Sequence, residues 1–132
     1  MKIGFDLDGT LDVGPIREVA LALLKAGWEV HIITGVFKEA GSWQDADAKR
    51  TKLNRLGIPF TEYPALVAGK ARLHILEAVS ETYDRAYRLA DMGLRKGALC
   101  FQLDVELFID DSDTYCNMIQ NMSGDTAVLK VH

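Results

Sequence analysis

Residues 3 to 11 read Ile-Gly-Phe-Asp-Leu-Asp-Gly-Thr-Leu, an apolar run that stops against two carboxylates two positions apart. A short apolar run bounded by a turn signal has the form of a buried strand. Side chains two apart share a side of an extended backbone, so Asp6 and Asp8 project together if the strand persists that far. Two close acids at the end of a buried strand are costly unless a cation or a proton settles them. The chain must therefore place this strand inside a sheet and bring a compensating charge to its acidic end. Gly9 lets the backbone turn sharply and leaves room beside the acids. The pattern suits magnesium-assisted phosphoryl transfer, with one carboxylate attacking and the other moving protons.

The rest of the chain alternates strand and helix, which predicts an α/β domain with a mostly parallel sheet. The first strand covers 2–7. A helix follows over 15–26, with Pro15 in its first turn and Gly27 at its end. Residues 28–34, dense in Val and Ile, form the second strand. Ser42-Trp43-Gln44-Asp45 has the form of a capping box and opens a helix to about Leu56, closed by Gly57. A short third strand lies within 58–67, where Pro59 and Pro64 favour an edge. Leu73, Leu76, Val79, Tyr83, Tyr87 and Ala90 recur at helical spacing and predict an amphipathic helix over 70–94, its stripe facing the core. A helix over 96–103, a strand over 105–109, a helix over 114–122 and a strand over 126–131 complete the pattern.

With 132 residues, the chain suffices for one domain with a real core, 1–132. A net charge of −4 argues against nucleic acid as the first expectation, since phosphate backbones call for basic patches. Lys49, Arg50, Lys52 and Arg55 cluster on one predicted helix and read as a solvated face. No apolar stretch approaches membrane-spanning length, and Asp6 and Asp8 interrupt any signal-like segment at the start. Cys100 and Cys116 lack metal-site spacing and read as packed free thiols in a reducing, cytoplasmic setting.

Two further strand ends carry polar groups. Val30-His31-Ile32-Ile33-Thr34-Gly35 ends in a hydroxyl and a glycine, a place where a phosphate oxygen can be held or a turn satisfied. Glu106-Leu107-Phe108-Ile109-Asp110-Asp111-Ser112 is a second apolar strand that ends in adjacent acids. Ser112 or Asp113 would also cap the helix that follows.

Asp6-Leu7-Asp8-Gly9-Thr10-Leu11 resembles the first motif of the haloacid dehalogenase (HAD) superfamily of phosphohydrolases. Thr34 fits that family's second motif, and Asp110 with Asp111 its fourth. The resemblance implies a Rossmann-like, doubly wound fold and a Mg²⁺ site built from Asp6, Asp8, Asp110 and Asp111. Asp110 would bind directly and Asp111 through water, with Asp113 as a substitute for Asp111. It also implies a third-motif cation early in the helix before the fourth motif. Lys96 fits that place and Lys70 is the rival, with Arg72 and Arg95 more remote. Asp6 would be the nucleophile and Asp8 the acid and base, Lys96 would neutralise charge, and Thr34 with backbone N–H groups would hold the transferring oxygens.

Pro15 follows Asp8 by only seven positions, so no cap domain fits there. Residues 70–94 leave room for a helical insertion and not for a domain. The implied protein is a capless phosphatase with an open site. Its substrate would be a phosphorylated small molecule or nucleotide, or less expectedly a polynucleotide end; an open site suits a large substrate, or a small one covered by a neighbouring subunit. Trp43 would touch substrate or pack at a helix start.

Two readings from other classes compete. A receiver domain also uses an acid pair, a lone Asp, a Thr and a Lys, but there the acid pair follows the first strand and the lone Asp a middle one. The D-x-D at 6–8 and the acid pair after Lys96 follow the HAD order instead. A HAD-like binding module without turnover, or phosphotransfer to an acceptor other than water, would keep the same acids.

Overall fold

The computed structural model describes residues 1–36, 45–78 and 83–131. Six strands form one all-parallel sheet: β1 (Lys2–Phe5), β2 (Glu29–Val36), β3 (Phe60–Glu62), β4 (Ala71–Glu77), β5 (Leu107–Asp110) and β6 (Ala127–Lys130). The helices are α1 (Gly14–Lys25), α2 (Ala46–Arg55), α3 (Arg85–Leu103) and α4 (Asp113–Met122). The strand order is β3-β4-β2-β1-β5-β6. From β1 the chain forms β2 beside it, then β3 at the edge and β4 between them, before it returns to the other side of β1 with β5 and β6. The reversal point lies at β1, and in open α/β sheets ligands bind outside the carboxyl ends of strands at such a point.

Strand periodicity divides the core into two layers. Ile32 packs with Ala20 and Leu24 of α1 and Leu53 of α2, whereas Ile33, the next residue, packs with Cys100 of α3 and Ile119 of α4. Ile109 and Phe108 of β5 divide in the same way. Helices on both faces make the fold α/β, Rossmann-like and doubly wound, as the alternation of elements predicts. Cys100 and Cys116 are buried free thiols.

Close approach of α3 and α4 depends on glycine. A Cβ at Gly97 would meet the Cα of Ile119 at 3.1 Å and the carbonyl oxygen of Met118 at 3.2 Å. One at Gly93 would meet the Cβ of Met118 at 2.9 Å. Both glycines therefore let α3 lie against α4 with little side-chain thickness between them.

Residues 70–94 differ from the expected helix. Residues 71–77 are β4, which sits inside the sheet between β2 and β3, and the residues from Arg85 belong to α3. The expected helical insertion is thus a sheet strand and the first half of α3, and 96–103 is the second half of that same helix. Ala71, Leu73 and Ile75 alternate with Arg72 and His74 as in a strand, but the run is short, and Leu73 and Leu76 also fit helical spacing. Tyr83 and Tyr87, expected in the core, are about half exposed and stack on each other with ring centres 4.7 Å apart. Val79 lies outside the described residues. β3 and β4 pair in parallel through residues 63–70, a shorter connection than the dozen or more residues usual for parallel neighbours.

A polar network crosses β2 and β4. Arg72 Nη1 donates to Glu29 Oε1 at 2.6 Å. Glu29 Oε2 accepts from His31 Nε2 at 2.7 Å, and His31 Nδ1 contacts His74 Nε2 at 2.8 Å. A carboxylate only accepts, so His31 carries its proton on Nε2 and His74 donates through its own Nε2–H. Both imidazoles are buried, and the Tyr63 ring packs on His74 with centres 4.6 Å apart. Burial holds both imidazoles below their ordinary range, and the charges of His31 and Arg72 help push His74 down to about 4.

His74 thus folds neutral. Its stabilising contribution is complete above the unfolded value near 6.5 and is lost as the pH falls toward 4. His74→Leu leaves the His31 Nδ1 acceptor unpaired and is expected to cost about 1–3 kcal/mol at pH 7. In urea titrations the gap between the natural protein and His74→Leu should narrow steadily from pH 6.5 to 4. A gap that stays constant over this range would contradict the assignment.

Candidate active site

Asp6 follows the last residue of β1, and Asp110 is the last residue of β5. Parallel pairing sets Phe5 beside Ile109, and the Asp6 N–H donates to the Ile109 carbonyl at 2.9 Å. This register brings two acids about a hundred positions apart in sequence to one edge. The Asp6 carboxylate is 6% exposed and that of Asp110 fully buried.

Lys96, in the interior of α3, supplies the compensating charge. Its Nζ donates to Asp6 Oδ1 at 2.9 Å and to Asp110 Oδ2 at 3.3 Å, and the residue is completely buried. The ammonium also lies 4.2 Å from the centre of the Tyr115 ring, a cation–π contact from α4. Burial alone would lower the Lys96 pKa, but the facing carboxylates outweigh it and hold the lysine charged. Burial dominates at Asp6 and pushes it up to about 7 against the pull of Lys96. Asp110 is likewise raised by burial, and it accepts a further hydrogen bond from the Ser112 N–H at 3.1 Å.

Asp111 completes an acidic group. One carboxylate oxygen from each of Asp6, Asp110 and Asp111 lies within 4.8 Å of the others. These are hard oxygen donors of the kind that bind Mg²⁺, and Asp111 is partly exposed, so the three residues fit such an ion. Gly9 makes the approach of Asp111 feasible. It has φ +77°, and a Cβ there would fall 2.1 Å from Asp111 Oδ2. Asp113 stands outside this group, where it is exposed and pairs with Lys130 at 3.3 Å. Ser112 is the helix cap, accepting from the Tyr115 N–H at 3.3 Å.

Asp8 has other partners. Its carboxylate is not a member of the three-acid group; Lys49 Nζ binds Oδ2, and Lys52 Nζ binds Oδ1 at 2.7 Å. Lys52 also reaches Asp12 Oδ2 at 2.7 Å. Burial raises Asp8, but the two lysine hydrogen bonds prevail and hold it below the ordinary carboxylate range. The expected solvated face of α2 is therefore split. Lys49 is 2% exposed and Lys52 largely covered, whereas Arg50 turns outward to Asp47 and Glu62. The helix is capped by Asp45, whose carboxylate accepts from the Ala48 N–H at 2.7 Å. Ser42 and Trp43 lie outside the described residues.

Thr34 is buried in β2 and lines the same cleft, of about 280 Å³, as Asp6, Asp8, Lys96 and Asp111. Lys70 precedes β4, at the opposite end of the sheet, so Lys96 is the lysine at the acids. Lys96 is not early in a helix, because α3 starts at Arg85. Thr10 of the first motif donates through its hydroxyl to Asp6 Oδ2 at 3.4 Å, whereas Lys49, Lys52 and Tyr115 are site neighbours that the motifs do not mark. For the lysines a signal did exist: Lys49 and Lys52 are three apart, on one side of a helix that follows the Thr34 strand.

The chain matches no protein-family model and no curated protein sequence.

Removing the Lys96 charge leaves two buried carboxylates without compensation. Lys96→Met is expected to destabilise the protein by about 3–5 kcal/mol at pH 7.5. The loss should shrink at lower pH, where both acids take up protons, and in the double variant Lys96→Met/Asp6→Asn. Guanidinium titrations at pH 7.5 and 5 measure this, and equal losses at both values would disprove it.

Proposed function

We propose that this protein is a phosphohydrolase of the haloacid dehalogenase type that acts on phosphomonoesters through an aspartyl-phosphate. The observation that carries the reading is the meeting of Asp6, Asp110, Asp111 and Lys96 at the carboxyl ends of β1 and β5. Asp6, Asp110 and Asp111 would hold Mg²⁺, which supplies positive charge beside the phosphoryl oxygens when bound.

The chain's own groups account for the remaining requirements. Asp6 lines the cleft and attacks phosphorus in line as a carboxylate. The charge on Lys96 favours that ionised form and also opposes the phosphoryl charge. The Thr34 hydroxyl lies in the same cleft and holds a transferring oxygen. Asp8 stands two residues on, at the more exposed side, where it protonates the leaving oxygen and then takes a proton from the attacking water. Most of the rate enhancement in such a site comes from positioning and electrostatics.

A second reading rests on Asp8. Two lysines hold it ionised, and a proton donor must first lose them. A binding module that retains the acids without turnover would keep that clamp.

Phosphate release from p-nitrophenyl phosphate and a panel of phosphometabolites separates the two. With Mg²⁺ the protein should release phosphate, and EDTA should stop it. Asp6→Asn should reduce turnover by at least about a thousandfold while the fold is kept. An active Asp6→Asn protein would sink the nucleophile assignment, and no release from any compound would favour the binding module.

A further inference from the structure

The reaction proposed above leaves one wall of the cleft without a task. Asp6 and Thr34 come from the carboxyl ends of the strands and Lys96 reaches Asp6 from α3, where the scissile phosphoryl group would sit. Arg85 and Leu89, from the first turns of α3, and Tyr115 of α4 line the same space. Arg85 is exposed and makes no hydrogen bond or ion pair with any described residue. By contrast, Arg17 donates to two backbone carbonyls, Arg50 to Asp47 and Glu62, and Arg72 to Glu29.

Lys96 cannot serve a second anion, since both acids hold it and it is fully buried. Lys49 also lines the cleft and carries a positive charge to its Asp8 side. A planar guanidinium matches a carboxylate or a phosphate through two parallel hydrogen bonds. A cleft of about 280 Å³ suits a small metabolite rather than an extended polymer.

We infer that the cleft binds a small phosphomonoester bearing a second anionic group, a carboxylate or a further phosphate, which Arg85 holds from the α3 side with Lys49 adding charge. The inference deepens the phosphohydrolase reading and relies on it for where the scissile group sits. Leu89 and the Tyr115 ring, on that same side of the cleft, would cover the short carbon segment between the two anions.

Non-hydrolysable probes test this without turnover. Methylphosphonate carries one anionic group, phosphonoacetate adds a carboxylate, and methylenediphosphonate adds a second phosphonate. Each is titrated calorimetrically into the full chain at fixed MgCl₂. At least one two-anion probe should bind about tenfold or more tighter than methylphosphonate, and the tighter one identifies the second group. Arg85→Ala should bring that ratio within about twofold, and Arg85→Lys should retain part of it. Arg85 is exposed and pairs with no described residue, so its replacement leaves the fold intact. A ratio near one in the natural protein, a ratio unchanged in Arg85→Ala, or no binding of any probe would overturn the inference. An Arg85-dependent preference in a protein that releases no phosphate would leave this subsite standing and remove the phosphohydrolase reading instead.

Discussion

One buried ammonium underlies the arrangement. Lys96 sits where β1 and β5 present Asp6 and Asp110 side by side, and neither acid is open to water enough to be solvated by it. Two carboxylates in such a place repel each other and lose hydration, so the strand pairing that joins them is tolerable only with a cation between them. That cation comes from α3. The helix must also run close to the sheet, which is why its surroundings are so small. Gly35 faces the Met92 side chain, where a Cβ would meet Met92 Cε at 2.8 Å, and Gly93 and Gly97 let α4 close over the other side. The electrostatic demand at the strand ends and the close packing of α3 are two sides of one constraint.

Asp6 and Asp8 show how far environment separates like groups. They are two residues apart in one turn, yet burial raises the first and two lysine hydrogen bonds lower the second. Neighbouring acids with opposite shifts are a recurrent basis for dividing labour between a group that attacks and one that moves protons. The division does not come from the motif itself. It comes from α3, which supplies one buried lysine, and α2, which supplies two lysines at the more exposed side.

Much of the fold was legible because its signals are local. Pro15 and Gly27 bracket α1, Gly57 follows α2, and the apolar runs before Asp6, Thr34 and Asp110 became neighbouring strands. β4 was not legible. Leu73 and Leu76 fit helical spacing with Tyr83 and Tyr87, and that longer pattern hid the short alternation of Ala71, Leu73 and Ile75 with Arg72 and His74. Misreading it also placed Lys96 at the start of a short helix rather than well inside a long one. The Glu29–His31–His74 network escaped notice for a related reason, since its members become partners only when β4 lies beside β2.

Taken alone, the sequence determined which strand ends carry acids and hydroxyls, the order of most elements, and the short list of cations able to reach them. Apolar runs, turn residues and helix caps act over a few residues, so they are readable wherever they occur. Only the tertiary structure decided between Lys96 and Lys70, joined Asp111 rather than Asp113 to the acid group, and turned Lys49 and Lys52 inward onto Asp8. Those choices rest on charge compensation between groups 14 to 90 positions apart. The energy of such pairs depends on burial and distance, and neither exists until the sheet has formed.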